Sequence, residues 1–428
     1  MKIGIIGAGF TGLTAGYFLA KNGHDVSIFE KDSAPGGLAI GYKEPGWDWT
    51  LEKHYHHWFT NDDHILSLAR EIGAEVLIKR PRTSVYVEGA IYQLDSPVSV
   101  LRFPKLNLAE RVRMSAIIGA LKFDPFWKPL ERYNAATLLP KLMGEKPYKM
   151  IWEPMMINKF GSFANDVSLA WFWARIYKRT PSLAYPETGF LAFAEKLTKK
   201  FTEHGGKIFF NSEIQQLKSL ESHIEIDALI HNKKQKYIFE KTIVTTPTPL
   251  FVKVAPQLPA TYKTSLGKLK SLGAINLVLR LKKPFFKDST YWLSVCDKKS
   301  PVMAIVEHTN FMDKKHYNNE HLLYLGNYLP REHKYFTMSE DEILAAYDPF
   351  LSSLNKEYKK TIISMKAFKA PFAQPIIPVN YSRMIPPMKT PLQNVFLANI
   401  EQVYPWDRGT NYAVELGEKV ASLLQKGA

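Results

Sequence analysis

The first forty residues constrain this chain more than any other stretch. Lys2-Ile3-Gly4-Ile5-Ile6 is a β-branched run nearly free of polar groups, as a buried parallel strand requires, and it leads straight into Gly7-Ala8-Gly9-Phe10-Thr11-Gly12. Gly7 makes the tight turn, Gly9 lets the backbone approach a pyrophosphate, and Gly12 lets the following helix pack close to the strand. That helix runs from Leu13 to about Lys21 and stops at Asn22-Gly23. A second strand, Asp25–Phe29, delivers Glu30 eighteen positions after Gly12, where a carboxylate accepts hydrogen bonds from an adenosine ribose. The ordered set of strand, glycines, helix, strand and acid points to a bound dinucleotide, its phosphates on the positive end of the helix. An acid at the second strand end disfavours a 2'-phosphate, so NAD and FAD are both open.

Lys31-Asp32-Ser33-Ala34-Pro35-Gly36-Gly37-Leu38 places a second glycine pair just behind the ribose acid. This resembles the flavoprotein superfamily of monoamine oxidases, protoporphyrinogen oxidases and phytoene desaturases. In that family the second pair lies against FAD and an arginine often follows it; here Leu38 stands at that place. The resemblance implies FAD, with Gly7, Ala8, Gly9, Thr11, Gly12, Glu30, Lys31, Gly36, Gly37 and Leu38 around it. Some amine oxidases attach flavin through a cysteine near the C-terminus, and the single Cys296 lies far from that region, so noncovalent FAD is expected.

With 428 residues the chain has room for two domains. The strand beginning at Lys2 leaves no place for a secretory signal, no run approaches the roughly 18 apolar residues of a membrane span, and one cysteine fits a reducing compartment. The expected location is the cytoplasm. The net charge of +15 comes from scattered lysines with no nucleic-acid fold signature, so no nucleic-acid partner is expected. Mixed aromatic and basic residues in the middle of the chain leave a peripheral contact with the inner face of a membrane open. Oligomeric state is open too.

Trp47-Asp48-Trp49-Thr50-Leu51-Glu52-Lys53-His54-Tyr55-His56-His57-Trp58-Phe59-Thr60-Asn61-Asp62 is the most unusual stretch in composition. In an extended backbone His54 and His56 share one face and His57 takes the other, but no cysteine or carboxylate spacing completes a metal site, and no metal is expected. The bland reading is a histidine-aromatic core layer. The resemblance implies instead a segment running along the isoalloxazine ring, with His56 at the family's histidine. UDP-galactopyranose mutase has a similar segment followed by Thr-Asn-Asp, matched here by Thr60-Asn61-Asp62.

Asp62–Gly73 reads as a surface helix, and Val85–Leu94 as a hairpin around Glu88-Gly89 that opens the second domain. From Asn107 to Arg179 the pattern is helical and carries Trp127, Trp152, Trp171, Phe172 and Trp173, which fit either a core or an apolar channel. Leu191–Glu203 reads as a helix and Lys207–Asn211 as a strand; the resemblance puts the family's adenine contact at Ser212-Glu213-Ile214, hence Ile214. Strands follow at Ile224–Leu229, Tyr237–Glu240 and Lys241–Thr245, with Asn232–Gln235 as a charged turn. Between 256 and 391, strand character appears at 274–281, 302–308 and 321–328. Glu307-His308-Thr309-Asn310 reads as a pocket wall or a polar strand exit, and Ala370–Pro375 as a proline-broken loop.

The last strand, Asn394–Asn399, and a helix capped by Thr410 that runs to Leu424 return the chain to its beginning. The resemblance implies that Gly409 and Thr410 face the flavin pyrimidine edge. The family's Gly-Asp after the last strand is replaced by Asn399-Ile400, with Glu401 and Asp407 as candidate substitutes.

The expected fold is α/β plus α+β: a Rossmann-like FAD-binding domain (1–80, 205–255 and 392–428) and a discontinuous substrate domain of mixed sheet and helices (81–204 and 256–391). The resemblance implies an FAD-dependent oxidoreductase that removes a hydride from a small organic substrate to flavin N5 and is reoxidised by oxygen, a quinone or another acceptor. His56 and Arg408 are the candidate flavin-adjacent groups. Two rivals stand beside it: a flavin-dependent sugar-nucleotide isomerase, although the arginine- and tyrosine-rich ending of UDP-galactopyranose mutase is missing, and a flavoprotein scaffold without turnover at a membrane-surface pathway.

Overall fold

The computed structural model describes residues 1–426; residues 427–428, the end of the last expected FAD-binding segment, lie outside the described residues. The strand Lys2–Ile6 is the centre of an all-parallel five-stranded sheet in the order Lys207–Phe209, Asp25–Phe29, Lys2–Ile6, Lys241–Val244, Val395–Leu397. Ile3, Ile5, Val26, Ile28 and Ile243 are fully buried under helices on one face, and Ile6, Phe29 and Val244 are buried on the other against the antiparallel sheet of Ser212–Ser219, Ile224–Ile230 and Lys233–Phe239, so the central strands have no solvent face. The strand order reverses direction between Lys2–Ile6 and Lys241–Val244, so the carboxyl ends of these two strands frame a crevice for a ligand.

The first helix begins at Phe10, three residues earlier than the sequence expectation, and ends at Lys21. It packs against the helices Phe190–Glu203 and Thr410–Lys426; Gly12 sets its approach to the first turn, at Gly7, and Gly417 its approach to the last helix. A Cβ on Gly12 would stand 2.0 Å from the Gly7 carbonyl oxygen, and one on Gly417 would stand 2.7 Å from the carbonyl oxygen of Thr11. Any side chain at either position would force backbones apart. The C-terminal helix also departs from expectation at its start: Thr410 is its first residue, and its hydroxyl accepts from Trp58 Nε1 at 2.8 Å.

A second, seven-stranded sheet runs Ile362–Pro375, Ser271–Leu281, His321–Leu329, Ala304–Glu307, Thr290–Val295, Arg82–Val87, Ala90–Gln93. Only the pair Arg82–Val87 and Thr290–Val295 is parallel. Ile275, Leu277 and Leu279 pack one face onto the helix Glu340–Leu354, while Ala274 and Val278 bury the other face. With both faces covered, the polar alternation of a half-buried strand fades. Each such aliphatic side chain is worth roughly 1.5–3 kcal/mol of burial.

Two local readings are corrected. Ala370–Pro375 is the end of the fourteen-residue strand Ile362–Pro375 and not a loop. It lies on the sheet edge, and Pro371 falls where the register shifts between Leu272 and Ala274, so its missing N–H breaks no ladder bond. The hairpin after Ile224–Ile230 turns on His231-Asn232, both in the left-handed region, rather than on Asn232–Gln235. Lys233, Lys234 and Gln235 then lie at the start of the edge strand Lys233–Phe239, where both faces are exposed.

Candidate functional site

The crevice is built by two glycine loops in contact. The Gly36 amide donates to the Ala8 carbonyl at 2.9 Å, and a Cβ on Gly37 would lie 3.0 Å from the Gly9 Cα. Gly9 precedes the first helix and no side chain caps that end, so its backbone N–H groups are free to meet an anion. Thr11 and Gly12 occupy the same first turn. Glu30, at the end of Asp25–Phe29, accepts from the Ala8 amide at 2.7 Å and the Asp32 amide at 2.9 Å; burial pushes its pKa up against these bonds. The Ser212 amide donates to the Glu30 carbonyl at 2.8 Å, which brings Ile214 into this neighbourhood. Lys31 is exposed and stands 4.0 Å from Glu213, and Leu38 is half-buried against the core. These residues fit a dinucleotide: a glycine cradle that any Cβ would fill, an uncapped helix end and a carboxylate beside it.

At the other end of the chain, Asn399 Nδ2 donates to the Thr246 carbonyl at 3.0 Å, which ties the last strand to the crossover after Lys241–Val244. Glu401 Oε1 accepts from the Thr248 amide at 3.3 Å and its hydroxyl at 3.2 Å. Asn399 Oδ1, Glu401 Oε2 and Thr246 Oγ1 are buried without a hydrogen-bond partner. Of the two candidate substitutes for the missing aspartate, Glu401 stays on the nucleotide side. Asp407 points elsewhere.

Asp407 belongs to a cavity of about 200 Å³ whose wall includes both His56 and Arg408, residues that the chain places more than 350 positions apart. The segment 55–62, the helices Glu153–Phe160 and Leu169–Tyr177, the second sheet and the loop before Thr410 enclose it. Gly409 and Thr410 line it as well. Asp407 accepts from Lys159 Nζ at 3.0 Å and Trp171 Nε1 at 3.0 Å, with Arg175 at 3.6 Å. Arg408 is fixed by Gln374, to which Nε donates at 2.9 Å, and by the Tyr328 hydroxyl.

The three histidines make separate contacts. His56 Nδ1 lies 2.6 Å from the His54 carbonyl and so donates to it, leaving Nε2 as an acceptor; His54 meets Asn276 at 2.6 Å and His57 meets the Tyr291 hydroxyl at 3.2 Å. Burial holds the pKa of His56 at about 4 and those of His54 and His57 at about 3, so all three are neutral near pH 7. Among the described residues no three of His, Cys, Asp and Glu gather as metal ligands. Lys159 is poised near neutrality: burial, with Arg175 and Arg408 beside it, outweighs Asp407 and brings its ammonium down to about 7. Sequence reasoning did not single out Lys159 as a site residue, and no local pattern marks it, because its partner is 248 positions away.

The aromatic stretch serves both readings given to it. Trp171, Phe172 and Trp173 are buried in the core, and Trp152, Trp171 and Phe172 also form cavity wall. Glu307-His308-Thr309-Asn310 is a polar strand exit: Glu307 accepts from the amides of Phe285 and Phe286 at 3.0 and 2.9 Å, and His308 meets Tyr317 at 2.9 Å.

A family model described as flavin containing amine oxidoreductase matches residues 10–423. Coproporphyrinogen III oxidase of Staphylococcus aureus is 21% identical over 300 residues, 60% of this chain and 63% of that protein. The chain spans 63% of the length of the first curated relatives it matches. Among solved structures, an oxidoreductase from Methanosarcina mazei superposes with a TM-score of 0.75 at 17% identity, over 99% of this chain and 100% of that one. Reduced UDP-galactopyranose mutase superposes with a TM-score of 0.74 at 15% identity, over 99% and 96% of the two chains. At these identities the superpositions show a shared fold.

Proposed function

The chain belongs to the flavin containing amine oxidoreductase family, and from that premise we propose that it binds FAD noncovalently and oxidises a small organic substrate held in the cavity between His56 and Arg408. The uncapped end of the first helix, crossed by Gly36-Gly37, carries the reading. Gly7 to Gly12 would hold the pyrophosphate, Glu30 the ribose and Ile214 the adenine side, while the chain around Asn399 and Glu401 would meet the middle of the cofactor. Gly409 and Thr410 would offer the positive end of the last helix to the ring. FAD, when bound, would supply the hydride-accepting chemistry, with oxygen, a quinone or another acceptor as the oxidant.

The protein's own part is to orient and to exclude water. His56 presents a neutral acceptor, and Arg408 a fixed positive charge that an electron-rich neighbour would favour. Lys159 can give or take a proton near neutrality, since its ammonium sits at about 7. Burial pushes the Cys296 thiol up to about 12, which makes it a poor nucleophile and supports noncovalent attachment. The test is heat denaturation of the purified yellow protein. Free FAD in the supernatant is expected; protein without flavin, or flavin that stays on the chain, contradicts the reading.

The two sheets support a nucleotide unit and a substrate unit with the boundaries given above except at 190–203, where the packing of Phe190–Glu203 on Phe10–Lys21 argues for counting that helix with the nucleotide unit. We also propose a peripheral contact with an anionic lipid surface on the cytoplasmic side. Among the described residues no helix is long and apolar enough to cross a membrane. The stretch 98–133, however, exposes Val98, Leu108, Val112, Phe123, Phe126 and Tyr133, with Phe123 and Phe126 at 83% and 75% exposure, and intersperses them with Arg102, Lys105, Arg111 and Lys128. Flavin-dependent sugar-nucleotide isomerisation is the second reading, favoured by the cations of the cavity. Conversion of a sugar nucleotide without net consumption of an oxidant would establish it.

A further inference from the structure

We propose that the cavity selects an organic anion, whose carboxylate or phosphate is held by Arg175, Lys178 and Arg179 and whose apolar body lies against Trp152, Trp171 and Trp292. The proposal deepens the cavity reading above by naming the chemical class of its substrate.

Arg175 lies in the last turn of the helix Leu169–Tyr177, and Lys178 and Arg179 follow directly beyond its end. All three line the cavity, as do Lys159 and Arg408. Two carboxylates oppose these five cations, Asp407 fully engaged and Asp62 through one oxygen, its Oδ1 having no hydrogen-bond partner. Asp407 is taken by Lys159 and Trp171, leaving Arg175 at 3.6 Å, and Asp62 Oδ2 accepts from the Phe59 amide at 2.9 Å. Lys178 donates to the Asn61 carbonyl at 3.5 Å, stands over the face of Trp406 and shares the field of the Asp62 carboxylate.

The Arg179 guanidinium has no hydrogen-bond or ion-pair partner among the described residues, and the residue is exposed where it lines the cavity. Desolvation and the neighbouring Arg175 lower its pKa to about 10, with Asp95 opposing, so it stays charged near neutrality. Cations at a helix end usually complement the helix dipole. A dipole alone does not call for three like charges turned inward on an aromatic wall, where repulsion is stronger than in water. An entering oxyanion relieves that repulsion and gains charge-assisted hydrogen bonds from the two guanidinium groups. An amine would meet the same field with the wrong sign.

Calorimetric titration of the purified holoprotein with 2-naphthoate, 2-naphthyl phosphate and 2-naphthylmethylamine tests this, since the three share an apolar body and differ in the head group. At least one anion is expected to bind about tenfold or more tightly than the amine, and the better of the two anions identifies the head group as carboxylate or phosphate. Arg175→Gln and Arg179→Gln should each weaken that anion about tenfold or more, and Arg179→Lys should restore most of the loss. An amine that binds as well as the anions, anions that do not bind, or an affinity unmoved by both glutamine variants overturns the proposal. The wild-type comparison decides even where a variant fails to fold. Flavin absorbance, read first on each sample, separates the two accounts: colourless protein that still prefers the anion contradicts only the flavin reading, and yellow protein that prefers the amine contradicts only this one.

Discussion

Gly9 sits where the two glycine loops touch, 3.7 Å from the Gly37 Cα for a Cβ that it lacks. The φ of Gly9 is −70°, which any residue can adopt, so a side chain there costs ligand space rather than backbone strain. Gly9→Val should fold with a thermal midpoint close to wild type and purify without flavin; a yellow Gly9→Val protein would move the phosphate site elsewhere. Gly12 is different, because its Cβ would collide with backbone and Gly12→Val should lose the fold itself. Both glycines and Glu30 were legible in the sequence, since turn, helix and acid lie within a few dozen residues of one another. Lys159 was not, because its setting is assembled from Asp407, Arg175 and Trp171 only in three dimensions. Its ammonium loses its proton as pH rises through about 7, so the cavity becomes less positive and anion affinity should fall across that pH. Asp62, held at about 6 by burial, adds a limb of the same sign. Lys159→Arg should flatten the limb near 7 and leave the one near 6. For stability the sign is opposite: the folded pKa lies below the ordinary lysine value, the unfolded chain binds the proton more tightly, and this group's contribution to stability grows with pH between the two.

At the scale of elements, burial on two faces and edge position decided what the sequence pattern could reveal. The central strands announce themselves as β-branched runs, whereas Ile362–Pro375 hides behind two prolines that only a sheet edge and a register shift accommodate. The hairpin turn at His231-Asn232 lacks glycine, and the lysines beside it look like a loop until the strand's solvent face explains them. The helix Leu108–Phe123 also departs from the usual pattern, with Met114 and Leu121 its buried positions and Leu108, Val112 and Phe123 exposed. Lys122 near its end donates to the carbonyls of Tyr177 and Arg179, so this outward apolar surface is tied to the wall of the cavity. Wild-type protein should co-sediment with vesicles containing phosphatidylserine and release with salt. The pair Phe123→Ser and Phe126→Ser should reduce binding several-fold without changing flavin content, and wild-type protein that ignores such vesicles would remove the lipid proposal.

At the scale of the whole molecule, the nucleotide crevice draws on residues 2–30, 207–214, 241–248 and 395–410, while the second sheet and the helices between 153 and 177 supply the opposite wall of the cavity. Long-range pairing of this kind leaves its trace in the sequence mainly at the two ends, where strand, glycines and final helix can be recognised before their contact is known. A cofactor that binds only the folded chain should stabilise it by about 2.7 kcal/mol at a hundred times its Kd. The most direct measurement is an anaerobic absorbance titration of the yellow protein with porphyrinogen carboxylates, polyenes, sugar nucleotides and amines in turn. An anionic organic reductant is expected to bleach the flavin, and an added acceptor to restore the colour. Bound flavin that dithionite reduces but no organic candidate bleaches, or that amines alone bleach, would contradict that expectation.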